Sequence, residues 1–112
     1  KPVDQAISFA GLFREWQSKK DVVYSCALIV TVPNPKLTHI HDKSFPVILE
    51  QAFFDPWLDR KNQHTERFET LYEPRLRTDF TATPTDPFYN HPRNKNSGCL
   101  EAIGEPELIH AD

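Results

Sequence analysis

Residues 21–32 carry the sequence DVVYSCALIVTV, and this stretch decides the fold. It is rich in β-branched residues and nearly continuous in apolar character, which is typical of a strand buried on both faces. Another apolar run, residues 6–13, precedes it, and the short segment at residues 17–20 between them is polar. We therefore predict that the two runs are strands that pair as a hairpin.

The rest of the chain is predicted to form short elements. Ten prolines are spread along the 112 residues, which argues against an all-helical protein. Apolar spacing predicts short helices at residues 50–58 and 65–72. Short apolar or alternating runs predict further strands, at residues 45–49, 78–83 and 99–103. Together these elements predict a β-rich α+β fold with antiparallel strands and two short helices, in one domain or a piece of one.

Composition limits the class of protein. Apolar residues make up 38% of the chain, and eight Phe, three Tyr and two Trp supply bulky packing groups, so we expect a globular fold. The net charge of −3 argues against a uniformly basic surface, although a local basic groove remains compatible with nucleic-acid binding. No apolar run approaches the roughly 20 residues of a membrane span, and the first residues lack the apolar region of a signal peptide. We predict a cytoplasmic protein without a membrane partner.

The first residue and the two cysteines give further expectations. Because the chain starts with Lys1 rather than Met, we expect a processed, truncated or engineered product. Cys26 and Cys99 lie far apart in sequence, which is a weak signal for a disulfide and a weaker one for a metal site. We therefore predict buried free thiols, as in cytosolic proteins.

The densest group of ionisable residues is His39-Ile40-His41-Asp42-Lys43. On an extended backbone His39 and His41 would point to the same face. An imidazole has an ordinary pKa of about 6.5 and can move protons at neutral pH, which favours a general acid/base role for one histidine. Two alternatives stay open: a surface pair without a role, and a zinc site, for which no other spacing supplies the required third ligand.

A second polar cluster, residues 90–96 with the sequence NHPRNKN, has the composition of a turn. Its two cations stand among Asn and His side chains, and such a turn can hold phosphates. The alternative is a solvated turn without a ligand. With only three glycines the chain has no Gly-rich phosphate loop, and it contains no G-x-S-x-G or zinc-protease motif.

Four blocks in order resemble the SRAP family, the SOS-response-associated peptidases. They are residues 9–16 (FAGLFREW, similar to FAGLWxxW), residues 29–49 (similar to IxT…AN…IHDRMPVIL), Trp57-Leu58 (similar to WL), and residues 90–101 (similar to NNPRN…CIEP). The family's Arg-Met-Pro is here Lys43-Ser44-Phe45-Pro46, which is one residue longer, and His91 replaces an Asn. Lys keeps the charge of Arg but not its bidentate fork.

The resemblance implies a covalent chemistry. Family members crosslink to abasic sites in single-stranded DNA through a cysteine at the mature N-terminus, which traps the sugar aldehyde as a thiazolidine with help from an Asn, a Glu and a His. The cysteine, Asn and Glu lie upstream of the FAGLWxxW block. Residues 1–112 are therefore expected to be a single partial domain, the C-terminal portion of an SRAP domain, inactive without the missing half. Exposed strand edges are expected to pair with that half or with a second copy.

The resemblance also assigns residues. His41 matches a catalytic residue and would shuttle a proton to or from the sugar oxygen. Asp42 and Asn90 are expected to support the site. The candidate DNA contacts are Lys43, Arg93, Asn94 and Lys95.

The function expected from the sequence is sensing and processing of abasic sites in bacterial DNA repair. We expect this activity in the cytoplasm, at the nucleoid when the protein acts on DNA. We expect it to need no cofactor or metal. Whether the family's peptidase or lyase chemistry applies to this chain stays open. Two alternatives remain. One is a non-catalytic module that binds single-stranded DNA on the same scaffold. The other is a metal-binding structural domain built on His39, His41 and either Cys26 or Cys99.

Overall fold

The computed structural model of this protein describes residues 1–61 and 65–112. Its strands are β1 (Gly11–Gln17), β2 (Val22–Leu28), β3 (Val30–Thr31), β4 (Phe45–Pro46), β5 (Phe80–Ala82) and β6 (Glu107–Ile109). The described residues also form one α-helix, α1 (Phe54–Leu58), and short 3₁₀ helices at Pro35–Leu37, Gln51–Phe53, Thr65–Tyr72, Pro87–Asn90 and Ser97–Leu100. The described strands pair antiparallel in three two-stranded sheets. In the described part of the chain, no helix is long and apolar enough to cross a membrane.

The predicted α+β class, with antiparallel strands and two short helices, is confirmed. The helix predicted at residues 50–58 corresponds to α1 and the 3₁₀ helix Gln51–Phe53 before it, and the helix predicted at residues 65–72 is the 3₁₀ helix Thr65–Tyr72. Its buried residues, Phe68 and Leu71, are three positions apart. Side chains at this spacing align on one face of a 3₁₀ helix, which has three residues per turn.

The chain divides into two compact units, residues 7–75 and residues 1–6 with 76–112. The assignment of residues 1–112 to one partial domain stays a prediction, because compact units of this size also occur within single domains.

In the unit of residues 7–75, β1 and β2 form the predicted hairpin, in a register that runs from Gly11 opposite Leu28 to Gln17 opposite Val22. The hairpin turns between Ser18 and Asp21, where the Ser18 backbone N–H donates to the Asp21 carbonyl at 2.9 Å. The first strand begins later than predicted, since residues 6–10 lie outside β1.

Backbone pairing around Ala10 ties the start of the hairpin to the core of this unit. Ala10 N donates to Val47 O at 2.8 Å, and Ile29 N donates to Ala10 O at 3.0 Å. Ala10 and Val47 are buried together with Leu49, Phe68 and Leu71. The core therefore lies where residues 8–10, 29–31 and 45–49 meet the helices Gln51–Phe53, Phe54–Leu58 and Thr65–Tyr72.

Trp57 of α1 joins this core to β1. Its ring packs edge-on against Phe68 with centroids 5.0 Å apart, and its indole N–H donates to Gly11 O at 3.0 Å. A buried indole usually finds such an acceptor, so this contact fixes α1 against the first residue of β1.

The prediction that residues 21–32 form a strand buried on both faces was wrong. All seven residues of β2 are exposed, and the apolar run is split into β2 and the two-residue β3. An apolar run indicates which side chains a strand could bury. Whether the strand is buried depends on other layers of the protein that cover it. The prediction of a buried thiol was wrong for Cys26 for the same reason, and Cys99 is only partly exposed.

The second unit, residues 1–6 and 76–112, is built around β5 and β6, with Phe80 opposite Ile109. Leu76, Phe80 and Ile109 are buried. The strand predicted at residues 99–103 is absent, and Ser97–Leu100 is a 3₁₀ helix capped by Asn96. The side-chain cap of Asn96 therefore favours a 3₁₀ helix over a strand at these apolar residues. The strand that pairs with β5 is β6, which lies further along the chain.

Candidate functional site

A loop after β3 carries His41. The side-chain oxygen of Asn34 accepts from Lys36 N at 2.8 Å and so caps the 3₁₀ helix Pro35–Leu37, with proline in its first turn. The Leu37 carbonyl then accepts from Ile40 N at 2.9 Å and from His41 N at 3.0 Å. The backbone is therefore held by hydrogen bonds as far as the candidate catalytic residue.

The base of this loop is fixed by a buried amide. Asn34 is only 5% exposed, and its Nδ2 donates to Pro74 O at 2.6 Å. Beside it, the Thr31 hydroxyl donates to Tyr72 O at 2.8 Å. Buried polar groups are costly unless they are hydrogen-bonded, so these bonds fasten the loop to the segment that ends the helix Thr65–Tyr72.

The three candidate residues of the loop, His41, Asp42 and Lys43, are all exposed. Within the described residues, no hydrogen bond or ion pair joins the His41 imidazole to Asp42 or to any other side chain. The ring is thus accessible to a ligand in solution, on a loop whose backbone is anchored. The orienting role of Asp42 stays a prediction.

Side chains in the turn at residues 86–98 hold its backbone. Asp86 Oδ1 accepts from Phe88 N at 2.9 Å, and Asn96 Oδ1 accepts from Gly98 N at 2.8 Å. Between them, Asn94 Nδ2 donates to Phe88 O at 2.9 Å. A side-chain acceptor that bonds the N–H two residues later is typical of Asp and Asn in turns.

His91 acts in the same way as these Asp and Asn residues. Its Nδ1 accepts from Arg93 N at 3.2 Å, and its carbonyl accepts from Asn94 N at 3.0 Å. The ring nitrogen thus takes the place that the oxygen of an Asn would occupy. The replacement of the family's Asn by His91 is compatible with this turn.

The candidate DNA contacts of the turn differ in exposure. Arg93 and Lys95 are exposed, and no described residue forms an ion pair with either side chain. Asn94 is half-buried and its amide already binds Phe88 O, so it supports the turn. Asn90 is exposed at the end of the helix Pro87–Asn90. Both cations are therefore available to an anion.

The structure places the candidates in two groups. His41, Asp42 and Lys43 belong to the unit of residues 7–75, and residues 90–95 belong to the other unit. Sequence reasoning missed Asn34 as the anchor of the first group. Its Asn-Pro dipeptide was an available signal for a cap, but its partner at Pro74 lies 40 residues away.

In residues 1–61 and 65–112, no group of three or more His, Cys, Asp or Glu side chains is arranged to hold a metal ion. A zinc site needs at least three protein ligands. The described residues therefore give no support to the alternative of a metal-binding structural domain.

Comparison with known proteins gives a family and several relatives. The family model described as SOS response associated peptidase (SRAP) matches residues 1–92, which include His41, Asp42 and Lys43 and end before Arg93. Over 96 residues the chain is 31% identical to the abasic site processing protein YoqW of Bacillus subtilis (strain 168) and 32% identical to YoaM of the same organism. Each of these matches covers 85% of this chain and 42% of the relative.

A third relative, the abasic site processing protein YobE of Bacillus subtilis (strain 168), is 30% identical over 86 residues, which are 76% of this chain and 39% of the relative. The chain thus spans about two fifths of the length of these curated relatives. No solved structure gives a significant match.

Proposed function

This chain belongs to the SRAP family, the SOS response associated peptidases, and we propose that it takes part in the processing of abasic sites in DNA. The relatives that it resembles bear this activity in their names. The observation that carries the proposal is the exposed imidazole of His41, within the family match and on a loop anchored by Asn34.

We propose that His41 is the proton shuttle for opening the abasic sugar. When the bond between C1′ and the ring oxygen breaks, that oxygen gains a proton, and the C1′ hydroxyl loses one as the aldehyde forms. The imidazolium of His41 donates the first proton, and the neutral imidazole accepts the second, so the side chain ends unchanged. Asp42 is proposed to orient the ring when DNA is bound.

The aldehyde is the group that a nucleophile captures. In the chemistry implied by the family resemblance, the amine and thiol of an N-terminal cysteine form a thiazolidine with the aldehyde carbon, with loss of water. Neither Cys26 nor Cys99 is assigned to this step. We therefore expect the 112 residues to form no crosslink by themselves.

Single-stranded DNA is the proposed partner, and its phosphates are the proposed ligands of the cations. Lys43, Arg93 and Lys95 are exposed, as phosphate-binding side chains must be. Phosphate contacts position a protein on DNA without reading sequence, which suits a lesion that lacks a base. Action at the bacterial nucleoid is part of the same proposal.

A chimera tests the catalytic role: the matched residues of this chain replace the matched segment of YoqW. It is incubated with a single-stranded oligonucleotide containing an abasic site, and denaturation-resistant adduct is measured over time. His41→Gln should slow adduct formation by roughly 10²-fold, the lower end of general acid/base contributions. The matched control His39→Gln changes a neighbour on the same loop and should stay within twofold. Equal rates for both variants would remove His41 from the mechanism.

A non-catalytic module that binds single-stranded DNA is the second candidate. It is favoured because no described residue orients the His41 ring and because residues 43–46 depart from the family motif. This candidate predicts that the chimera binds the oligonucleotide, in a salt-dependent way, and forms no adduct.

A further inference from the structure

The hairpin of β1 and β2 exposes large apolar side chains on both of its faces. Opposite residues of an antiparallel pair share a face, so the register separates the side chains into two sets. Face one carries Phe13, Tyr24 and Leu28, which are 63%, 67% and 56% exposed. Face two carries Leu12 and Trp16, which are 62% and 58% exposed. Both faces of the hairpin therefore expose large apolar side chains to solvent.

Exposure of this kind is costly for so small an element. A two-stranded hairpin is marginally stable in water and needs further strands or a covering layer. Contiguous exposed apolar patches mark interaction sites. An apolar cavity of about 280 Å³ also lies near the end of the hairpin that joins the core, lined by Gly11, Leu12, Phe13, Cys26, Ala27 and Leu28.

The outer edges of the hairpin are also unpaired among the described strands. Among the described strands, β1 and β2 pair only with each other, so each has an outer edge without a neighbouring strand. Unpaired strand edges are templates for the addition of further strands. A partner that supplies strands would satisfy the edges and cover apolar side chains at the same time.

The presence of two apolar faces decides between the possible partners. A second copy of this chain in a closed dimer would use one self-complementary patch and leave the opposite face in water. A polypeptide that surrounds the hairpin covers both faces. Such a polypeptide is available in principle, because the chain spans only 42% of the length of YoqW, and the family match includes the whole hairpin.

We propose that the β1–β2 hairpin is the docking surface for the part of an SRAP domain that this chain does not contain. That part adds strands to the hairpin edges and covers both apolar faces. Docking requires the family membership and not the chemistry of His41, so either proposal can fail alone.

Binding between two polypeptides tests the docking surface. The 112-residue chain is titrated with a separate polypeptide that contains the part of YoqW outside the match, and the affinity is measured by calorimetry. Tyr24→Lys on face one and Trp16→Lys on face two should each weaken binding at least tenfold. The control is Leu100→Lys, at a side chain that is 84% exposed and outside the hairpin, and it should stay within twofold. All three residues are exposed, so the variants should fold like the parent chain.

Hydrogen exchange supplies a second measurement that does not depend on assembly from two pieces. In the chimera with YoqW, the amides of β1 and β2 that face outward should exchange at least tenfold more slowly than in the 112-residue chain. Equal exchange in both proteins would overturn the proposal. It would also be overturned by a homodimer of the 112-residue chain that forms through one face alone while the YoqW polypeptide does not bind.

Discussion

Replacing Asn34 with Ala should loosen the loop that carries His41. The change removes the side-chain hydrogen bond from Nδ2 to Pro74 O and the bond that Oδ1 accepts from Lys36 N. Loss of a cap costs about 1 kcal/mol, and a carbonyl left without a partner in a partly buried place costs about 1–2 kcal/mol more. We expect the unit of residues 7–75 to lose roughly 2–3 kcal/mol of unfolding free energy by this reckoning.

The matched control is Asn96→Ala. Asn96 also caps a 3₁₀ helix, accepting from Gly98 N at 2.8 Å, but it is exposed, so water replaces the lost bond. We expect a loss of about 0.5–1 kcal/mol for this variant. The comparison isolates the contribution of the buried bond to Pro74.

Chemical denaturation followed by circular dichroism measures both variants, and hydrogen exchange of the His41 amide shows whether the loop opens. Asn34→Ala should speed that exchange, because the turn that holds the amide loses its cap. If Asn34→Ala and Asn96→Ala destabilise equally and the His41 amide stays protected, then the buried amide does not anchor the loop, and the reasoning is refuted.

Three further changes have defined outcomes. Gly98→Ala should loosen the turn, because a Cβ there would collide with the Tyr89 hydroxyl and crowd the Asn96 side chain that caps the turn, and faster amide exchange across residues 93–98 is the measurement. Trp57→Phe keeps one aromatic ring but removes the indole donor to Gly11 O and part of the packed ring volume, so denaturant titration should show a loss of at least about 1 kcal/mol of unfolding free energy. Arg93→Gln should reduce the slope of log affinity against log salt for single-stranded DNA by roughly 0.7, the value for one phosphate contact, and an unchanged slope would exclude that contact.

The sequence predicted the hairpin correctly and misplaced the closing strand. The hairpin was predictable because two apolar runs flank a short polar turn at Ser18 and Asp21, all within a few residues. The closing strand was misplaced because Asn96 and Gly98 impose a 3₁₀ turn locally, whereas β6 forms where its residues meet Phe80.

The candidate site shows the same division. The role of His41 was predicted from its motif and stays a prediction, and the structure shows that its side chain is exposed. The anchoring role of Asn34 depends on the carbonyl of Pro74, 40 residues later, and no local sequence pattern predicts that contact. The exposure of β2 depends on whether other parts of the protein cover it, which the sequence of β2 alone does not predict.

In the turn at residues 86–98, one set of side chains holds the backbone and another carries the positive charge. Its backbone is held by Asp86, Asn94 and Asn96, while the exposed Arg93 and Lys95 side chains form no hydrogen bond or ion pair with any described residue. The side chains that fix the shape of this turn are therefore different from the side chains that carry its positive charge. Substitution of Arg93 or Lys95 can therefore raise, lower or reverse the local charge, one residue at a time, while the side-chain hydrogen bonds that hold the turn stay in place.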